Sequence, residues 1–101
     1  MGTITIPKTF KLLGQTVTVC YDSTLRSEHE ALGLTVLDKN QIRLQPSTKT
    51  FPMSKDKTAH VFCHELVHLI FYHAGFHKDC TDERKVDLIA GLLHQALITA
   101  E

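Results

Sequence analysis

The stretch Ser54-Lys55-Asp56-Lys57-Thr58-Ala59-His60-Val61-Phe62-Cys63-His64-Glu65-Leu66-Val67-His68-Leu69-Ile70-Phe71-Tyr72-His73-Ala74-Gly75 decides the fold. Within it Val61, Phe62, Leu66, Leu69 and Ile70 recur at helical spacing, so they are expected to face a core. Ser54 is a suitable helix cap, with Lys55 to Lys57 as the first turn, and Gly75 is a suitable end.

Upstream, the period is two rather than three to four. Thr3 to Lys11 is rich in Thr, Ile and Phe, and Gly14-Gln15 offers a turn. Thr16 to Tyr21 alternates polar and apolar residues, the signature of a half-buried strand. Asp22 to Glu30 is polar and reads as a loop or one helical turn. Leu34 to Leu37 and Gln41 to Leu44 flank Asp38-Lys39-Asn40, which predicts a short hairpin. Pro46 closes the second of these strands, because proline cannot donate to a ladder. Downstream, His77 to Thr81 reads as a loop. Thr81 or Asp82 then caps a second long helix, whose apolar stripe is Val86, Ile89, Ala90, Leu93 and Leu97. A β-leaning first half and a helical second half give an α+β architecture: an N-terminal antiparallel or mixed sheet packed on two long helices.

The 101 residues suffice for one domain over positions 1–101 and are too few for two. Formal net charge is zero, with acids and bases mixed along the chain, which argues against nucleic acid or a membrane surface as a partner. No apolar run approaches the ~20 residues needed to cross a bilayer, and Met1 to Pro7 lacks the basic and apolar regions of a signal peptide. Cys20, Cys63 and Cys80 are odd in number and include no CxxC pair, so they do not read as a disulfide framework. The expectation is a reduced, cytoplasmic protein.

His64-Glu65-Leu66-Val67-His68 reads H-E-x-x-H. By composition this pattern is expected only about 0.02 times in such a chain. Residues four apart on a helix lie one above the other, so the two imidazoles can grip one metal ion. Imidazole and carboxylate donors favour zinc. Glu65, one residue on, stands at the edge of the site, where a general base can take a proton from a water on the ion. A catalytic zinc has three protein ligands and an open position. Glu83, fifteen residues after His68, is the expected third ligand. Asp87 shares its helix face and is expected to accept the outer N–H of a ligating histidine, His64 first among them. Asp87 is also the competitor for the third place, and a Cys80 ligand instead would point to structural zinc. His60 reads as a helix-surface residue or a lip of the cleft. His73 and His77 are expected to be exposed, with His77 a candidate oxyanion stabiliser if its loop covers the ion. His94 is core or surface, and Cys63 is a small buried apolar residue.

His64 to His68 followed by Glu83-Arg84-Lys85-Val86-Asp87 resembles the gluzincin pattern, as in thermolysin, where a second helix carries the ligand glutamate and an aspartate four residues on. Over about Ala31 to Leu97 the chain is similar to the small ImmA/IrrE-type metallopeptidases of bacteria and phages. Gly33-Leu34-Thr35 and Ile42-Arg43-Leu44 match the strand pair that precedes their HExxH helix, and Glu83 to Leu93 matches the helix that follows. The resemblance implies a zincin-like fold and a zinc metallopeptidase acting on a protein or peptide, with regulatory proteins such as repressors among the substrates. No segment matches a helix-turn-helix. An extended peptide is expected to pair with an edge strand, placed at Gln41 to Leu44. Two other readings stand beside hydrolysis: a zinc-binding interaction module without proteolysis, and a structural zinc domain with four protein ligands.

Overall fold

A computed structural model describes residues 4–101; Thr3, the start of the expected β-leaning run, lies outside them. Strand β1 (Thr9–Leu12) turns at Leu13 and Gly14, whose φ values of 50° and 78° fit a two-residue hairpin, into β2 (Gln15–Tyr21). In β2 the alternation does what it predicts: Val17 and Val19 are buried while Thr16 and Thr18 are exposed. Asp22 to Glu30 contains a short helix, α1 (Leu25–His29), with Leu25 buried. Then come β3 (Gly33–Val36), a 3-10 turn over Leu37–Lys39 with Asn40 left-handed, and β4 (Gln41–Leu44). Three helices follow: α2 (Lys55–His73), α3 (His77–Cys80) and α4 (Glu83–Thr99).

The sheet is mixed, in the order β1-β2-β4-β3. β2 and β4 run parallel; the two outer pairs are antiparallel, with Leu34 opposite Arg43 and Thr35 opposite Ile42. This order corrects one expectation. Gln41 to Leu44 is an inner strand with both ladders filled, so it cannot accept a peptide; the free edge on that side is β3. The parallel β2–β4 pairing causes this, because β3 folds back outside β4 rather than between the two.

α2 lies between the sheet and α4, so it buries more than one stripe: Ala59, Val61, Phe62, Cys63, Glu65, Val67 and Leu69. With Val17, Val19, Ile42 and Leu44 from the sheet and Val86 and Ala90 from α4, Val61, Phe62, Cys63, Val67 and Leu69 make the core. Both ends of α2 are satisfied locally. Ser54 Oγ accepts from the Lys57 N–H at 3.0 Å. At the far end Gly75 (φ 85°) forms a Schellman cap, its N–H donating to Tyr72 O and that of Phe76 to Phe71 O. α4 touches its neighbours along one narrow seam through Val86, Ala90 and His94. Ile89 and Leu97, expected in the core, are therefore exposed at 38% and 46%; Ile70, expected there too, is exposed at 41% near the end of α2. His77 to Thr81, expected as a loop, holds the single turn of α3. No helix among the described residues is long and apolar enough to cross a membrane.

Candidate metal centre

The seam between α2 and α4 brings three ligand-type side chains together. His64 and His68 project from α2 one turn apart, their ring centroids 5.0 Å from each other. Asp82 caps α4 by accepting the Lys85 N–H at 3.2 Å, which makes Glu83 the first residue of that helix. From there Glu83 reaches back to α2: its Oε2 lies 3.0 Å from His64 Nε2 and its Oε1 3.1 Å from His68 Nε2. One donor atom from each of the three residues falls within 4.8 Å of the other two.

The nearest polar partner of each ring's outer nitrogen is an oxygen that accepts. His68 Nδ1–H donates to the backbone oxygen of Cys80 at 2.7 Å. His64 Nδ1 faces Asp87 Oδ1 at 3.3 Å. With the proton held on Nδ1, a neutral imidazole presents its Nε2 lone pair inward. Two such lone pairs and a carboxylate then converge on one point, an electron-rich cluster that suits a divalent cation. The donor set of two imidazoles and a carboxylate fits zinc with a position left open. The rings are mostly shielded, whereas Glu83 is exposed along its length.

Glu65 points across α2 to the sheet. It is 8% exposed, and Thr35 Oγ1 on β3 donates to its Oε1 at 2.8 Å. Burial raises the Glu65 carboxyl above the ordinary carboxylate range. The Thr35 hydrogen bond and the charges of His64 and His68 oppose that rise, and Glu83 adds to it. Gly33 makes this approach possible: a Cβ there would stand 2.6 Å from Val61 Cγ1 and 2.9 Å from Glu65 Cγ. A cleft of about 490 Å³ opens beside the cluster, walled by Gly33, Leu34 and Thr35 on one side and by His64, Glu65, His68 and Glu83 on the other.

The remaining sequence candidates are spread more widely. Asp87 stands behind His64, as described. Cys80 is buried; its thiol donates to the His68 carbonyl at 3.3 Å and its sulfur lies 3.9 Å from His68 Nδ1, while its backbone oxygen makes the much shorter contact to that nitrogen. Burial, and secondarily Glu83, pushes that thiol's pKa up. His73 is not exposed as expected; it is half-buried, with Nε2 2.9 Å from Asn40 Oδ1. His77 is exposed and stacks on Tyr72, 5.1 Å between centroids, away from the cluster. Cys63 is fully buried, and all three cysteines are unpaired. Three contributors were not assigned from sequence: Gly33, Thr35 and the Cys80 carbonyl. A glycine opening a strand is a recognised sign of close backbone approach. The carbonyl has no side-chain signature at all.

No protein-family model, curated protein or solved structure matches the chain.

Proposed function

We propose that the protein is a zincin-like, zinc-dependent metallopeptidase of the gluzincin kind, similar to the ImmA/IrrE-type enzymes, that hydrolyses peptide bonds in a protein substrate. The observation that carries this reading is the convergence of His64 Nε2, His68 Nε2 and Glu83 while both Nδ1 atoms face acceptors. These three residues would hold the ion, and Asp87 and the Cys80 carbonyl would fix the ring orientations. Zinc, when bound, supplies Lewis acidity toward water and toward the scissile carbonyl.

The chain's own groups do the rest. Glu65 accepts a proton from the attacking water and passes it to the leaving amine; a carboxyl with a raised pKa is better matched to both transfers near neutrality. Thr35 holds one Glu65 oxygen, which fixes where the other points. The free edge of β3 borders the cleft, so the backbone of Gly33 to Val36 offers hydrogen bonds to an extended peptide.

One observation favours a second reading. Glu65 is buried and engaged by Thr35, which suits a zinc-holding module that binds a partner without cutting it. The open cleft beside the cluster speaks against a closed, four-ligand structural zinc.

Zinc content after gentle purification tests the centre. The expected result is about one tightly held zinc per chain, lost in Glu83→Ala and weakened about 10–100-fold in Asp87→Ala. A wild-type protein that takes up no tight zinc even when it is supplied refutes the proposal. Glu65→Gln then separates the two readings. For a peptidase it keeps zinc and abolishes cleavage; for a binding module it changes neither zinc nor partner binding, and the wild type cleaves nothing.

A further inference from the structure

Asp56, His60, His64 and His68 follow one another at four-residue intervals along α2 and so share a face. His64 and His68 belong to the centre already described. Asp56 and His60 continue the row toward the start of the helix, and α4 brings His94 against them. The His60 and His94 rings meet edge to face, 5.5 Å between centroids and 89° between planes. The His64–His68 pair has 5.0 Å and 67°. The second pair is thus spaced much like the first.

His94 is 6% exposed, and its Nε2 is the buried side-chain atom that finds no hydrogen-bond partner among the described residues. That nitrogen points toward Asp56 Oδ1, 3.4 Å away but not aligned as a hydrogen bond. Buried nitrogens are seldom left unmet in this way. Asp56 is exposed and His60 only half-buried, so the group opens to solvent at one side. The His60 ring lies over Gly91 of α4, where a Cβ would stand 3.7 Å from His60 Cε1, an ordinary contact distance.

We propose that Asp56, His60 and His94 form a second divalent-cation site, taking zinc through two imidazoles and a carboxylate, on the same α2–α4 seam as the first. Among the described residues only His64, His68 and Glu83 have their donor atoms already within 4.8 Å of one another; His60 Nε2 instead faces Asp87 Oδ1 at 3.8 Å, beyond hydrogen-bonding distance, so this second site requires the half-exposed His60 ring to rotate toward Asp56. The ligands come from both helices, so the ion staples the seam.

The test is a zinc titration of the full chain, first stripped with a chelator, followed by calorimetry and by metal analysis after dialysis. The wild type should show a tight class of site and a second, weaker class, about one ion each. Asp56→Asn and His60→Ala alter residues open to solvent, and thermal melting verifies that both variants fold. Each should lose the weaker class and keep the tight one, whereas His68→Ala should do the reverse. A single class in the wild type that both Asp56→Asn and His60→Ala leave intact overturns the proposal, as does a weaker class untouched by both. Failure of the first centre would look different, removing the tight class and leaving the weaker one sensitive to Asp56→Asn.

Discussion

Gly33→Ala tests how tightly β3 must press on the HExxH helix. The added methyl would sit 2.6 Å from Val61 Cγ1 and 2.9 Å from both Glu65 Cγ and Glu65 Oε2. Ordinary carbon–carbon contact is about 3.5–4.0 Å, so strand and helix must separate by roughly 1 Å or the side chains must leave their rotamers. Neither side chain yields easily. Val61 is β-branched, stiff in a helix and buried, and Glu65 is held by Thr35. Overpacking of this kind costs about 1–3 kcal/mol. For a domain of this size that lowers Tm by roughly 4–20 °C. The same movement pulls Thr35 away from Glu65, so zinc-loaded Gly33→Ala should also lose cleavage beyond what its melting explains. Gly14→Ala is the control. Nothing lies within 4 Å of its Cβ, but its φ of 78° makes alanine unfavourable by backbone strain of about 1–2 kcal/mol. It should melt lower while zinc uptake and cleavage stay at wild-type levels. Thermal melts and single-turnover cleavage of both variants decide the matter. A Gly33→Ala protein with wild-type Tm would refute the reading that β3 is pinned against α2 by the missing side chain.

The raised Glu65 pKa predicts a pH-dependent effect in the metal-free protein. An acid whose folded pKa exceeds its ordinary value of 4.5 stabilises the fold fully below that value and loses the contribution as pH rises through the folded pKa. Metal-free Glu65→Gln should therefore melt above metal-free wild type at neutral pH, and the gap should close on acidification; a gap that does not change with pH would contradict the burial argument. Cys63 and Cys80 are buried with thiols pushed up by desolvation, so mass spectrometry should find iodoacetamide on Cys20 well before either of them in the folded protein. Fast labelling of Cys80 would show that α3 opens away from α2.

The sequence was most readable where chemistry and periodicity act within one element. Ser54, Asp82 and Gly75 mark helix ends because a cap is a local event, satisfied by groups within a few residues. Val17 and Val19 alternate because a strand has only two faces. Ile70, Ile89 and Leu97 could not be placed this way. Periodicity shows that a helix has an apolar face, but not how many neighbours will cover it. α2 is covered from two sides and α4 from one, and that difference arises only when the sheet and both helices are assembled.

The strand order was hidden for a related reason. Thr16 to Tyr21 and Gln41 to Leu44 each read as strands, but their parallel pairing depends on β3 folding outside β4. Once β4 is interior, Gly33 to Val36 becomes the edge that faces the cleft, and two residues of that short strand acquire roles. Gly33 lets the helix come close, and Thr35 holds the carboxyl that close approach buries. The HExxH motif names the residues that can hold a metal and move a proton, but it does not set how far Glu65 is desolvated. That is set by a glycine and a threonine about thirty residues upstream, which is why Gly33→Ala and Thr35→Val should disturb Glu65 while leaving His64, His68 and Glu83 able to hold zinc.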